Sequence, residues 1–281
     1  MRTKLIYSGI FMFILTCLAV QVNAQGVSIN NGRLFFNGLP GERQVQEIVL
    51  TNPTNEKVLL QFSFQDWVRD TFGVKQYSEA GTLPQSCATW ASLNETSIEL
   101  LPMSERVLSV EMLPPANITP SQGVFNTMLF IRQIKDPYQR VATNGKLQSS
   151  LSTTFQIGVH LYYIHPSLQQ QELAIKGFEL EHETGVQTPR RFMLKLENIG
   201  ETVVDGSIKL ELTHTDSGKE YRLFENHPVT AAFMPRDVRY VNLDLPEDLP
   251  AGKYSALAIV DIGASHELQM AVIDVEIPNK Q

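Results

Sequence analysis

Polar and apolar residues alternate along most of this chain, and helical periodicity is nearly absent. The longest alternation covers 147–163, LQSSLSTTFQIGVHLYY. Leu147, Leu151, Phe155, Ile157, Val159, Leu161 and Tyr163 share one parity, and Gln148, Ser150, Ser152, Thr154, Gln156 and His160 share the other. Successive side chains of a strand point to opposite faces, so the pattern describes a ribbon with one apolar and one polar face. It is about three times the length of an ordinary strand of roughly five or six residues. A ribbon that overhangs a small sandwich exposes an edge of unpaired backbone groups, which folded proteins normally cover. Two readings are open: a long core strand followed by a linker, or a strand shared with a partner chain.

Shorter alternating runs fill the rest. They predict strands over 27–30, 33–37, 44–51, 58–68, 97–101, 107–113 and 124–134, with the ribbon as a strand over 147–164. A second set follows over 173–180, 191–198, 206–214, 221–224, 238–243, 252–262 and 267–276. Turn residues separate them, as in Gly38-Leu39-Pro40-Gly41, Asn52-Pro53-Thr54-Asn55 and Asp216-Ser217-Gly218. Strands at this spacing predict an all-β fold of two tandem immunoglobulin-like β-sandwich domains. His165-Pro166 and the glutamines at 169–171 mark the division, giving domains over 25–165 and 173–281 with a linker at 166–172. Leu249-Pro250-Ala251-Gly252-Lys253-Tyr254 has the form of a tyrosine corner, in which a Tyr hydroxyl bonds back to the preceding loop. The halves also echo one another: Leu50-Thr51-Asn52 and Leu196-Glu197-Asn198 each lead through a turn into a return strand.

The first residues predict a signal peptide over 1–24. Arg2 and Lys4 precede an apolar run, and Val22-Asn23-Ala24 supplies small-residue cleavage chemistry. Cys17 lies inside that run, but Thr16 and Leu18 fit a lipidation site poorly. Export to the periplasm is the expectation. Removing 1–24 leaves Cys87 as the one thiol, so no internal disulfide can form and the core alone must hold the fold. The formal charge moves from −7 to −9, with 21 basic against 30 acidic residues. An acidic, unclustered surface argues against nucleic acid as a partner.

Catalytic patterns are missing from the sequence. It holds neither a Gly-x-Ser-x-Gly elbow nor a His-Glu-x-x-His pair, and Asp216-Ser217-Gly218 reads as a hairpin turn. His160 and His165 fall on opposite faces of a regular strand and so cannot share a metal. A non-enzymatic protein without cofactor or metal is expected, with Cys87 a small, partly buried thiol. Arg33, in the run 27–38, is either a solvent-facing edge residue or a guanidinium able to grip a carboxylate.

Several segments, in order, resemble the PapD-type periplasmic chaperones of pilus assembly. They are the opening run with Arg33; Leu50-Thr51-Asn52-Pro53-Thr54-Asn55; Ile98 to Leu108 around Leu101-Pro102; Gly123 to Ile131; and Phe155 to Pro166 ending in Leu161-Tyr162-Tyr163-Ile164-His165-Pro166. The resemblance lies mainly in the first domain. It implies that the last strand of that domain donates alternating apolar residues to exported subunits with an incomplete β-sandwich. By position these would be Leu147, Leu151, Phe155 and Ile157, with Arg33 holding the subunit's terminal carboxylate. An outer-membrane assembly platform is a further partner the resemblance offers, and oligomeric state stays open. The family pairs its arginine with a lysine on the last strand, where this chain has His160. The two-sandwich layout is also similar to the WxL-interacting cell-wall proteins. That similarity keeps a second reading open: a non-catalytic envelope module that binds wall polymer or a surface protein.

Overall fold

A computed structural model describes residues 26–134, 155–181 and 190–278. The proposed signal peptide, and Leu147 and Leu151 of the ribbon, lie outside the described residues. The first ten strands are β1 (Ser28–Ile29), β2 (Arg33–Phe36), β3 (Gln44–Asn52), β4 (Val58–Arg69), β5 (Lys75–Glu79), β6 (Ala91–Leu93), β7 (Ser97–Leu100), β8 (Ser104–Met112), β9 (Val124–Ile134) and β10 (Gln156–Ile164). They form two facing sheets, ordered β1-β3-β8-β6 and β2-β10-β9-β4-β5, with β7 sharing the outer edge of β4 with β5. Between β1 and β2 the chain crosses from the first sheet to the second. Leu50, Leu60, Leu108, Leu129, Leu161 and Tyr163 meet in the core between them. The apolar parity read from the sequence is the inward one: Val159, Leu161 and Tyr163 have no exposed surface.

The second half comprises β11 (Leu173–Leu180), β12 (Arg191–Asn198), β13 (Val204–His214), β14 (Glu220–Leu223), β15 (Val229–Phe233), β16 (Val238–Asp244), β17 (Gly252–Asp261) and β18 (Gln269–Ile277). A β11-β12-β16 sheet faces a β14-β13-β17-β18 sheet, in which β15 also pairs with β13. Phe192, Leu194, Leu210, Phe233 and Tyr254 fill the core between them. The protein is therefore all-β, two immunoglobulin-like sandwiches in tandem. Cys87 is fully buried rather than partly so, and burial pushes its thiol pKa well up, so the thiol is held protonated. Three strands, β5, β6 and β15, lie where the hydrophobic pattern predicts none. β5 reads Lys-Gln-Tyr-Ser-Glu, with no buried residue and hence no alternation to detect.

Local chemistry explains the echo between the halves. Asn52 and Asn198 end equivalent strands, and both are fully buried. Asn52 Nδ2 donates to Glu56 O (2.8 Å) and Leu101 O (2.9 Å), while its Oδ1 accepts from Thr54 N (3.1 Å). Asn198 repeats the pattern with Thr202 O (2.9 Å), Phe233 O (3.2 Å) and Gly200 N (2.9 Å). One amide thus satisfies backbone groups that the turn would otherwise strand. The tyrosine corner is also present, with Tyr254 Oη donating to Pro250 O at 2.8 Å. Replacing Asn52 or Asn198 by Ala is expected to destabilise the protein by about 2–4 kcal/mol, because two or more buried groups lose their partner. Urea unfolding measures this, and tryptophan emission singles out Asn52→Ala, since Trp67 and Trp90 both belong to the first sandwich.

Candidate partner-binding edge and cationic cleft

β10 lies one strand in from the edge for only half of its length. It pairs with β9 along the whole of Gln156–Ile164, but with β2 only through His160↔Arg33 to Tyr163↔Phe36, in parallel. Backbone groups alternate sides along a strand. Phe155 O accepts from Gln133 N on the β9 side, and His160 N donates to Gly32 O on the β2 side. Gln156 and Gly158, of the same parity as His160, therefore turn their N–H and C=O groups to a side where no described strand lies. The apolar face of this half-strand emerges from the core by steps. Val159 is fully buried, Ile157 packs against the core while partly exposed, and Phe155 is 44 % exposed. Phe155 and Ile157 thus stand on one apolar face beside an edge that no described strand covers.

The open edge stops at Arg33. Its Nη1 contacts both oxygens of Asp205 on β13 of the second sandwich, at 2.7 and 2.6 Å. That hydrogen bond raises the Arg33 pKa and keeps it charged. Arg33 does hold a carboxylate, but it is the chain's own. Both side chains are more than a third exposed, so the pair contributes at most about 1 kcal/mol and can exchange with solvent or ligand.

Arg33 faces a gathering of cations on the outer face of the same sheet. His160, beside it in register, meets Trp67 of β4 edge-on with centroids 4.8 Å apart. Arg69 and Lys75 lie over the Trp67 ring at 5.1 and 5.9 Å, and Arg69 Nη1 also donates to Ala232 O across the interface (2.6 Å). Burial, and then the charges of Lys75, Arg69 and Arg33, depress the His160 pKa to about 3 from an ordinary 6.5. His160 is consequently neutral at any physiological pH. It is a packing residue that contacts Tyr162 Oη through Nδ1 (3.2 Å), and it carries no charge toward an anion.

The sandwiches meet just behind this cluster. Trp67, Val124, Met128, Phe130 and Tyr162 from the first pack with Val203 from the second, and with Met234 at the margin. The tip of the β4–β5 hairpin docks on β16, where Tyr240 N donates to Thr71 O (2.7 Å) and the Phe72 and Tyr240 rings stack at 5.6 Å. Gly73 has φ +89°, a left-handed conformation that residues with a side chain rarely adopt, and a Cβ there would press on the Arg239 guanidinium. Among the described residues no group of His, Cys, Asp and Glu side chains could hold a metal ion. Sequence reasoning singled out Arg33, His160, Phe155 and Ile157. It did not single out Trp67, Arg69, Lys75 or Asp205, whose only sequence signals are a lone aromatic and isolated charges.

The His160 pKa sets a pH dependence. Because the folded value lies below the unfolded one, the unfolded chain takes up the proton first. The stability held above about pH 6.5 is then lost progressively as pH falls toward about 3. Urea unfolding between pH 7 and pH 4 is expected to show this loss, and His160→Gln is expected to make the curve measurably flatter than wild type.

No family model matches the sequence, and no curated protein matches it. Solved structures similar to it include the E. coli chaperone DraB, at 14% identity and a TM-score of 0.46 over 90% of this chain and 97% of that one. The Pseudomonas aeruginosa CupB2 chaperone is similar at 13% identity and a TM-score of 0.44, over 89% of this chain and all of that one. A chain in the complex of Salmonella enterica SafA pilin with the SafB chaperone is similar at 15% identity and a TM-score of 0.47, over 90% of this chain and 98% of that one.

Proposed function

We propose that this protein is a non-enzymatic periplasmic chaperone that binds exported pilus or surface subunits by β-strand addition along β10. The observation that carries the reading is the half-paired state of β10: four residues are covered by β2, and no described strand covers the stretch before them, beside an emerging apolar face. An incoming strand gains backbone hydrogen bonds from Gln156 and Gly158, and its groove receives Phe155 and Ile157. Leu147 and Leu151 share this parity in the sequence and are the further donated residues of this reading. The start of β2 blocks the edge at Arg33, so the client strand must end there. A cationic end selects a C-terminal carboxylate, which sets the client strand parallel to β10, in the sense β2 itself follows. Arg33 is the first partner of that carboxylate, exchanging Asp205 for it.

Retention of exported subunits by the tagged full chain, with hydrogen exchange on the resulting complex, tests this. In the free protein the Gln156 and Gly158 amides are expected to exchange rapidly, and in the complex to be protected. Phe155→Asp and Arg33→Ala are each expected to lower retention about tenfold or more, because each removes a group from the contact without entering the core. Retention of no β-rich exported protein, or full retention by both variants, overturns the proposal. Retention on cell-wall material unaffected by Phe155→Asp would assign the protein to an envelope-binding role instead.

A further inference from the structure

The outer face of the β14-β13-β17-β18 sheet carries apolar side chains that the core does not use. In β18, Ile273 and Val275 pack inward, so by alternation Met270, Val272, Asp274 and Glu276 point outward. In β17, Tyr254, Ala256, Ala258 and Val260 are the inward row, which turns Lys253, Ser255, Leu257 and Ile259 outward. Met270 and Val272 are 62 % and 63 % exposed. With Leu268, just before β18, they are three of the four exposed large apolar residues described in the second sandwich. Register sets Leu257 opposite Val272 and Ile259 opposite Met270, so the four form one contiguous block. Lys209 and Glu211 of β13 flank it on one side, and Lys253 and Glu276 close one end. An apolar block with a charged margin has the composition of a docking surface.

We propose that this face pairs two copies of the chain about a two-fold axis that runs parallel to the strands, between β17 and β18. The order of the residues carries the choice of occupant. Such an axis lays each β17 residue of one copy over the β18 register neighbour of the other. Leu257 then meets Val272, Ile259 meets Met270, and Lys253 meets Glu276, each pair occurring twice. Apolar side chains fall on apolar ones and each cation falls on an anion, while Asp274 falls on Ser255. Two sheets stacked in this aligned manner lie about 10 Å apart and about 30° off parallel. Lys253 and Glu276 sit at the end where the strands diverge, and their long side chains span the gap. Five apolar residues a side, against about 20–30 residues in a standard interface, make the dimer weak, on the order of 100 µM. The surface uses no residue of β10, so the inference stands independently of strand addition.

Sedimentation velocity on the full chain, from about 10 µM to about 1 mM, provides the test, and wild type is expected to pass from monomer to dimer across that range. Val272→Asp is expected to weaken the dimer about tenfold or more, because it sets a charge on the apolar block at an exposed position. Lys253→Glu and Glu276→Lys are each expected to weaken it about tenfold, since each sets like charges against one another twice. The double variant Lys253→Glu with Glu276→Lys is expected to return to within about twofold of wild type, as a reversed pair should. Phe155→Asp is expected to dimerise as wild type does. A monomer throughout the range, an undiminished dimer in Val272→Asp, no recovery in the double variant, or loss of the dimer in Phe155→Asp overturns the proposal. A monomer whose Val272→Asp variant stops retaining an exported protein overturns it in favour of a different chain on the same face.

Discussion

Four parallel residue pairs between β2 and β10 organise this molecule. They bring Arg33, from the start of the first sandwich, beside His160 near the end of its last strand. They also close one half of β10 and leave the other half without a described neighbour on that side. Because β2 begins at Arg33, the open edge and the cationic end meet at one point, and no other strand is needed to define it. The same short strand sends its arginine to Asp205, tying the edge to the second sandwich.

The interface between the sandwiches rests on apolar burial more than on that ion pair. An exposed pair is worth at most about 1 kcal/mol, whereas a fully buried aromatic or aliphatic side chain contributes about 1.5–3 kcal/mol. Trp67, Met128, Phe130 and Tyr162 lie almost entirely out of solvent against Val203. The domain angle is thus set by packing and by the hairpin tip, and Arg33 remains free to change partners. The apolar contact also removes His160 from water and so decides its protonation. A residue of switching type becomes a neutral spacer because burial and three cations act on it together.

Much of the fold was legible beforehand. The second half of the ribbon, the alternation of β12 and the turns at Asn52 and Asn198 are readable because a strand's period of two and a turn's need for a local hydrogen-bonding side chain are both written within a few residues. Tyr254 announced its corner for the same reason, since its partner lies four residues away. β5 escaped because it buries nothing, and Lys75 escaped with it. Arg33 is legible in the sequence as a possible grip on a carboxylate, but its partner is not. Asp205 lies 172 residues away, in a strand whose sequence says nothing of the first sandwich.

The sequence by itself determined most of the strands and which parity of each faces inward. Each of these depends on the order of polar and apolar side chains along one stretch of backbone. The tertiary structure alone decided the lateral neighbours: that β2 covers four residues of β10 and no more, that Asp205 occupies Arg33, and that Arg69 and Lys75 gather over Trp67 beside a neutral His160. Periodicity records the face of a side chain and is blind to the strand that will lie beside it, so the edge was foreseeable as a ribbon and its cationic end only as a lone arginine.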